Sequence, residues 1–100
     1  MKKQEYSCKA KVWLYPGDMA AWYFITLPKA TAEKIKEKVG KSTRGFGSVP
    51  VEVVVGDTVW QTSIFPDKYS KSYLLPLKAA VRKKEGIQVD EEIEVKMRLR

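Results

Sequence analysis

Residues 49–66 read Val-Pro-Val-Glu-Val-Val-Val-Gly-Asp-Thr-Val-Trp-Gln-Thr-Ser-Ile-Phe-Pro. Two β-rich runs flank Gly56-Asp57, and glycine at the first of two loop positions marks a primed turn, whose twist matches that of the strands it joins. That turn dictates a register. Val55 faces Thr58, Val53 faces Trp60 and Val51 faces Thr62 on one side of the hairpin, while Val54 with Val59, Glu52 with Gln61 and Pro50 with Ser63 occupy the other. The first side is β-branched and aromatic, which makes Trp60 a core residue. The second carries the polar groups, so a function of this hairpin belongs there.

On the N-terminal side, Tyr6, Cys8, Ala10, Val12 and Leu14 alternate with Ser7, Lys9, Lys11 and Trp13, a half-buried strand over 5–14 with Trp13 anomalous on its polar face. Pro16-Gly17-Asp18 reads as a turn, and Ala21 to Leu27 is apolar on both faces, the pattern of a strand covered on both sides. Tyr15, Trp22 or Tyr23 is expected to cover Trp13 across this hairpin; the alternative is an aromatic platform for a ligand or base. Pro28 opens a helix to about Val39, with Ala32, Ile35 and Val39 on its apolar face and Gly40 as its C-cap. Glu33, Lys34, Lys36, Glu37 and Lys38 mix signs on the other face, as a solvated surface does. The segment Lys41 to Ser48 is glycine-rich and basic. Its backbone N–H groups, with Arg44 beside them, suit an anion, but it lacks a Gly-Lys-Ser/Thr ending and precedes a strand, so it reads as a flexible connection.

Beyond the hairpin, 67–72 is a polar loop, 73–75 a short strand, and Pro76 the start of a helix to Glu85 that ends at Gly86. Leu77, Ala80 and Val81 are expected to face inward and Lys78, Arg82 and Lys83 outward. Lys78 and Arg82 form a like-charge i,i+4 pair costing about 0.2–0.5 kcal/mol, a small cost that fits a functional surface. Residues 92–99 alternate, with Ile93, Val95, Met97 and Leu99 inward. The succession β-β-α-β-β-β-α-β describes a mainly β fold with two helices, a small barrel forming one domain over residues 1–100.

Composition excludes more than it selects. Nineteen Lys plus Arg against twelve Asp plus Glu give a net charge of +7, which favours anionic partners and also serves solubility. The chain contains no histidine, which removes Ser-His-Asp and Cys-His machinery and every histidine-containing metal site. The single cysteine, Cys8, lies on the apolar face of its strand and reads as an inert thiol. No metal site and no cofactor are expected. The N-terminus lacks an apolar signal core and no stretch reaches the ~18 apolar residues of a membrane helix, so the expected location is the cytoplasm, with no membrane partner.

Trp60-Gln-Thr-Ser-Ile-Phe-Pro-Asp-Lys68, followed by Ser72-Tyr-Leu-Leu-Pro-Leu-Lys-Ala-Ala-Val-Arg-Lys-Lys-Glu-Gly-Ile87, resembles the family known as domain of unknown function 1905. Trp22 to Pro28 and Gly45 to Val51 resemble it as well. The resemblance implies a double-split β-barrel and no established activity, cofactor or catalytic residue. Residues 75–87 with the strand that follows are also similar to the helix of AbrB-like swapped-hairpin regulators, which bind DNA as dimers; this covers about a quarter of the chain. Both families usually place Gly-Asp before the final strand, where this chain has Asp90-Glu91. The tightness of that turn is therefore in question, and the added acidic group at Glu92 disfavours a phosphate backbone there.

Three functions follow. The first is a noncatalytic binding or accessory module for an anionic small ligand, with Gln61, Ser63, Lys78, Arg82 and Arg44 as candidate ligand-binding residues. The alternative is an AbrB-like nucleic-acid-binding protein using Lys78, Arg82, Lys83 and Arg44. An enzyme ranks last, because a general base would have to be a carboxylate such as Glu52, Asp57 or Asp67, or a desolvated lysine, and no two of these are paired by spacing. Unpaired edges of an open barrel are expected to favour a homodimer.

Overall fold

The hairpin folds as its alternation dictates. Strands β3 (Val49–Val55) and β4 (Thr58–Asp67) pair antiparallel with Val55 opposite Thr58, Val53 opposite Trp60 and Val51 opposite Thr62, and the register continues to Val49 opposite Ile64. Gly56 takes a φ of +57° while Asp57 stays at negative φ, the pattern of a II′ turn. These features belong to a computed structural model that describes residues 5–17, 21–40 and 47–100.

Six strands close a barrel in the order β1-β2-β5-β4-β3-β6, where β1 is Glu5–Pro16, β2 Ala21–Thr26, β5 Ser72–Pro76 and β6 Glu92–Leu99. Two long strands are each shared between two sheets. Residues 5–11 of β1 pair with β6 and residues 12–16 with β2; residues 58–64 of β4 pair with β3 and 65–67 with β5. The fold is thus a mainly β, double-split barrel with two helices, α1 (Lys29–Val39) and α2 (Ala79–Glu85). Inward residues of every strand, among them Val12, Ile25, Val51, Val53, Ile64, Leu75 and Val95, are fully enclosed, and each such side chain contributes about 1.5–3 kcal/mol of burial. Helix α1 adds Ala32 and Ile35 to this core, and Gly40 caps it by donating its N–H to the Lys36 carbonyl. No helix among the described residues is long and apolar enough to cross a membrane.

The turn before β6 is tight despite its lack of glycine. Asp90 adopts a φ of +69°, its N–H bonds the Val12 carbonyl at 2.7 Å, and Val12 N–H returns to the Glu91 carbonyl at 2.9 Å. Aspartate is one of the few residues that enters the left-handed region at modest cost, so the backbone keeps a turn that glycine would make more easily.

Four expectations need correction. Helix α2 begins at Ala79 instead of Pro76, because Leu77 N–H bonds the Tyr23 carbonyl at 2.9 Å and prolongs the sheet, leaving Lys78 extended at φ −72° and ψ 158°. With the start displaced, Leu77 and Val81 are buried but Ala80 is exposed. Strand β2 is covered on one side only, and Trp22 stands 57% exposed on the other. Trp13 meets Phe24, its register partner, with ring centroids 5.2 Å apart, and donates its indole N–H to Thr26 Oγ1 at 2.9 Å.

Candidate functional site

The second split of the barrel opens a cleft. Strand β5 stops at Pro76, opposite Phe24; towards β2 one further bond, from Leu77 N–H to the Tyr23 carbonyl, ends its ladder, and towards β4 the pairing already ends at Leu74 opposite Phe65. Neighbours β2 and β4 run on to Ala21 and Thr58, so a gap separates Tyr23 from Trp60, and the segment from Leu77 to Arg82 is laid along it. The resulting cleft has a volume of about 330 Å³. Trp60, 7% exposed, borders it from β4, Tyr23 from β2, and Lys78 and Arg82 from the helix segment. The small side chains Ala21 and Ala79 leave it open.

Arg82 does not point to solvent as its place in the helix pattern suggests. Its guanidinium carbon lies 3.7 Å from the centroid of the Tyr23 ring, and Nε donates to the Leu77 carbonyl at 3.0 Å. The ring face and the carbonyl together fix the plane of the cation. Among the described residues the one ion pair is Arg98 with Glu52, at 2.5 Å, so no carboxylate neutralises Arg82 or Lys78.

Of the five candidate ligand-binding residues, Gln61, Lys78 and Arg82 line this cleft. Ser63 does not; it sits opposite Pro50 farther along β4. Arg44 lies outside the described residues. Gln61 is also engaged from its other side, where Oε1 accepts from Arg100 Nη1 at 2.9 Å in a second recess bounded by Glu52 and Arg98. Lys83 is exposed on α2 and does not border the cleft. The candidate bases are scattered: Glu52 is held by Arg98, Asp67 accepts from the Ser70 N–H and hydroxyl, and Asp57 is exposed at the hairpin turn. Among the described residues no three of Cys, Asp and Glu converge as a metal site would require. Burial pushes the Cys8 thiol up to about 11, away from nucleophilic use.

Sequence reading missed Tyr23 and Trp60 as cleft residues. Both face inward, and inward aromatic residues read as core; only the split, where an inward residue lacks a neighbour on one side, turns them into a wall.

The family model described as Domain of unknown function (DUF1905) matches residues 9–97. The chain belongs to the DUF1905 family. Comparison with curated proteins gives no match. The matched stretch of this DUF1905 chain runs from the first half of β1 into β6 and contains every described residue of the cleft. In the DUF1905 barrel, helix α2 is also anchored at its far end: Thr58 Oγ1 donates to Glu85 Oε2 at 2.5 Å, and the Glu85 carboxylate lies over Gly56. The cleft wall that carries Lys78 and Arg82 is therefore fastened to the turn of the central hairpin.

Proposed function

We propose that the cleft between Tyr23 and Trp60 binds a small anionic ligand with a flat apolar body, making this protein a binding module and not a catalyst. The observation that carries the reading is Arg82: an oriented guanidinium, stacked on Tyr23 and free of any carboxylate among the described residues, at the edge of an apolar cleft. Arginine held in one plane presents its remaining N–H groups as a fork that matches carboxylate and phosphate geometry. Lys78 adds a second positive charge at the rim, while Trp60 and Tyr23 supply apolar walls. A volume of about 330 Å³ lies at the lower end of ordinary small-molecule sites, so the ligand is the size of an aromatic acid or a nucleoside monophosphate. Among the described residues no Asp, Glu or Cys lines the cleft, so none of them brings a carboxylate or thiol to a bound molecule.

Titration with a panel of aromatic carboxylates and nucleoside monophosphates tests the proposal, with Trp60 emission as the readout in a Trp13→Phe, Trp22→Phe background. A saturable change that Arg82→Lys weakens and Arg82→Ala abolishes is expected. If no member of the panel alters the emission or the melting temperature at millimolar concentration, the reading fails.

A further inference from the structure

Among the described residues no helix covers the outer surface of the β1–β2–β5 sheet, where Tyr15 and Trp22 stand exposed. Alternation turns Trp13 and Tyr15 outward on β1 and Trp22 and Phe24 outward on β2, with Trp13 opposite Phe24 and Tyr15 opposite Trp22. These rings and Tyr69 line a groove of about 520 Å³. Tyr15 is 56% exposed and Tyr69 97% exposed, a large apolar area for a chain of this size to leave in water. The Trp13 indole N–H is already spent on Thr26, so that ring offers its π-face alone.

The groove does not end at the aromatic residues. Asp67 also borders a neighbouring trough of about 590 Å³, flanked by Lys36, Lys68 and Lys71, all exposed. None of the three lysines has an ion-pair partner among the described residues, and Lys36, which donates to the Lys71 carbonyl at 3.0 Å, keeps two further N–H donors. The acid at the junction, Asp67, is turned to its own loop by two hydrogen bonds from Ser70.

We infer that this aromatic groove and its lysine trough form a binding surface for single-stranded nucleic acid, with bases stacked on the rings and phosphates in the trough. Stacking on aromatic faces beside a cationic track is how unpaired strands are held without sequence preference. Charge selects this occupant over a second copy of the chain, because two copies would each bring +7 and the same lysines to one interface. A duplex hides its base faces and leaves the rings nothing to stack on. Of the lining residues the surface shares only Trp22 with the Lys78–Arg82 cleft, and it includes none of the residues a DNA-regulator resemblance singles out.

The test is fluorescence anisotropy of labelled oligothymidylate and oligouridylate of about twelve nucleotides, in about 50 mM salt, against wild type and variants of checked far-UV circular dichroism. Micromolar binding is expected, with log Kd against log salt sloping by about 2 for three phosphate contacts at ~0.7 each. Tyr15→Ala and Tyr69→Ala each weaken it about tenfold, Lys68→Ala lowers the slope by about 0.7, and Asp67→Asn tightens binding. Lys78→Ala leaves it unchanged. Tyr69, almost wholly in solvent, keeps the test decisive should Tyr15→Ala misfold. The inference is overturned by absence of saturable binding, by equal affinity for a duplex, or by binding that Lys78→Ala removes and Tyr69→Ala does not. It is overturned too if the protein ignores oligonucleotides but sediments, dependent on Tyr69, with vesicles of about three parts phosphatidylcholine to one of phosphatidylserine.

Discussion

Replacing Gly56 by alanine attacks the fold at two points at once. The residue sits at a φ of +57° in a two-residue turn, where an L side chain costs about 1–3 kcal/mol. A Cβ at this position also runs into the Glu85 carboxylate, which must withdraw and surrender the hydrogen bond it accepts from Thr58. Thr58 is buried but Glu85 only half-buried, so losing that bond costs about 1 kcal/mol, the value of an ordinary hydrogen bond. Together the substitution costs about 2–4 kcal/mol, a large part of the stability of a domain this size. In urea, with a slope of about 1–3 kcal/mol/M, the midpoint falls by about 1–2 M. A double-mutant cycle with Glu85→Ala separates the two causes, since removing the carboxylate abolishes the clash and leaves the backbone term. A coupling of about 1 kcal/mol is expected; a coupling of zero refutes the claim that Glu85 fastens α2 to the hairpin turn.

Asp90→Gly relieves the left-handed strain before β6 and should raise stability by up to about 1 kcal/mol, whereas Asp90→Val should lower it by more; thermal melts of both check the sign. Ser72→Ala removes a buried hydroxyl that donates to the Leu27 carbonyl at 2.7 Å, and urea unfolding should register a loss of about 1–2 kcal/mol. Burial raises the Cys8 thiol to about 11, so at pH 8 iodoacetamide should modify it about a hundredfold more slowly in the native than in the unfolded chain, measured by mass spectrometry. Because the native value lies above the unfolded one, the contribution to stability is complete below the unfolded thiol's pKa and is lost as pH rises towards about 11; a melting temperature that rises over that window in wild type relative to Cys8→Ala contradicts it.

Local chemistry wrote the parts of this protein that a linear reading recovers. Gly56-Asp57 set the hairpin turn, and strict alternation on either side set its register down to Pro50 opposite Ser63. The helix from Pro28 to Gly40 followed from a proline, an apolar spacing and a glycine. Those signals act between residues close in the chain, where sterics and periodicity suffice. Asp90 shows the limit of such rules, since the hydrogen bonds that this turn exchanges with Val12 on the paired strand β1, distant in sequence, hold it at a φ that its own preference resists.

The candidate site was legible in its ingredients and not in its arrangement. Lys78, Arg82 and Gln61 could be named, but Arg82 was assigned to solvent because helix periodicity has no means of knowing that Tyr23, fifty-nine positions earlier, lies beside it. Trp60 read as core because its alternation points inward, and only the lack of β4–β5 pairing on the N-terminal side of Phe65 leaves that inward face open to a cleft. The outer face of β2 read as covered because it is apolar, yet Trp13 of β1 packs only on Phe24, which is half-buried, and Trp22 stands exposed at the surface. Sequence alone determined the order of strands, turns and helices, while a bond to Tyr23 moved the start of α2. Tertiary structure decided which of them became a site, because a cleft is defined by which distant strands stop being neighbours, and no local period encodes that.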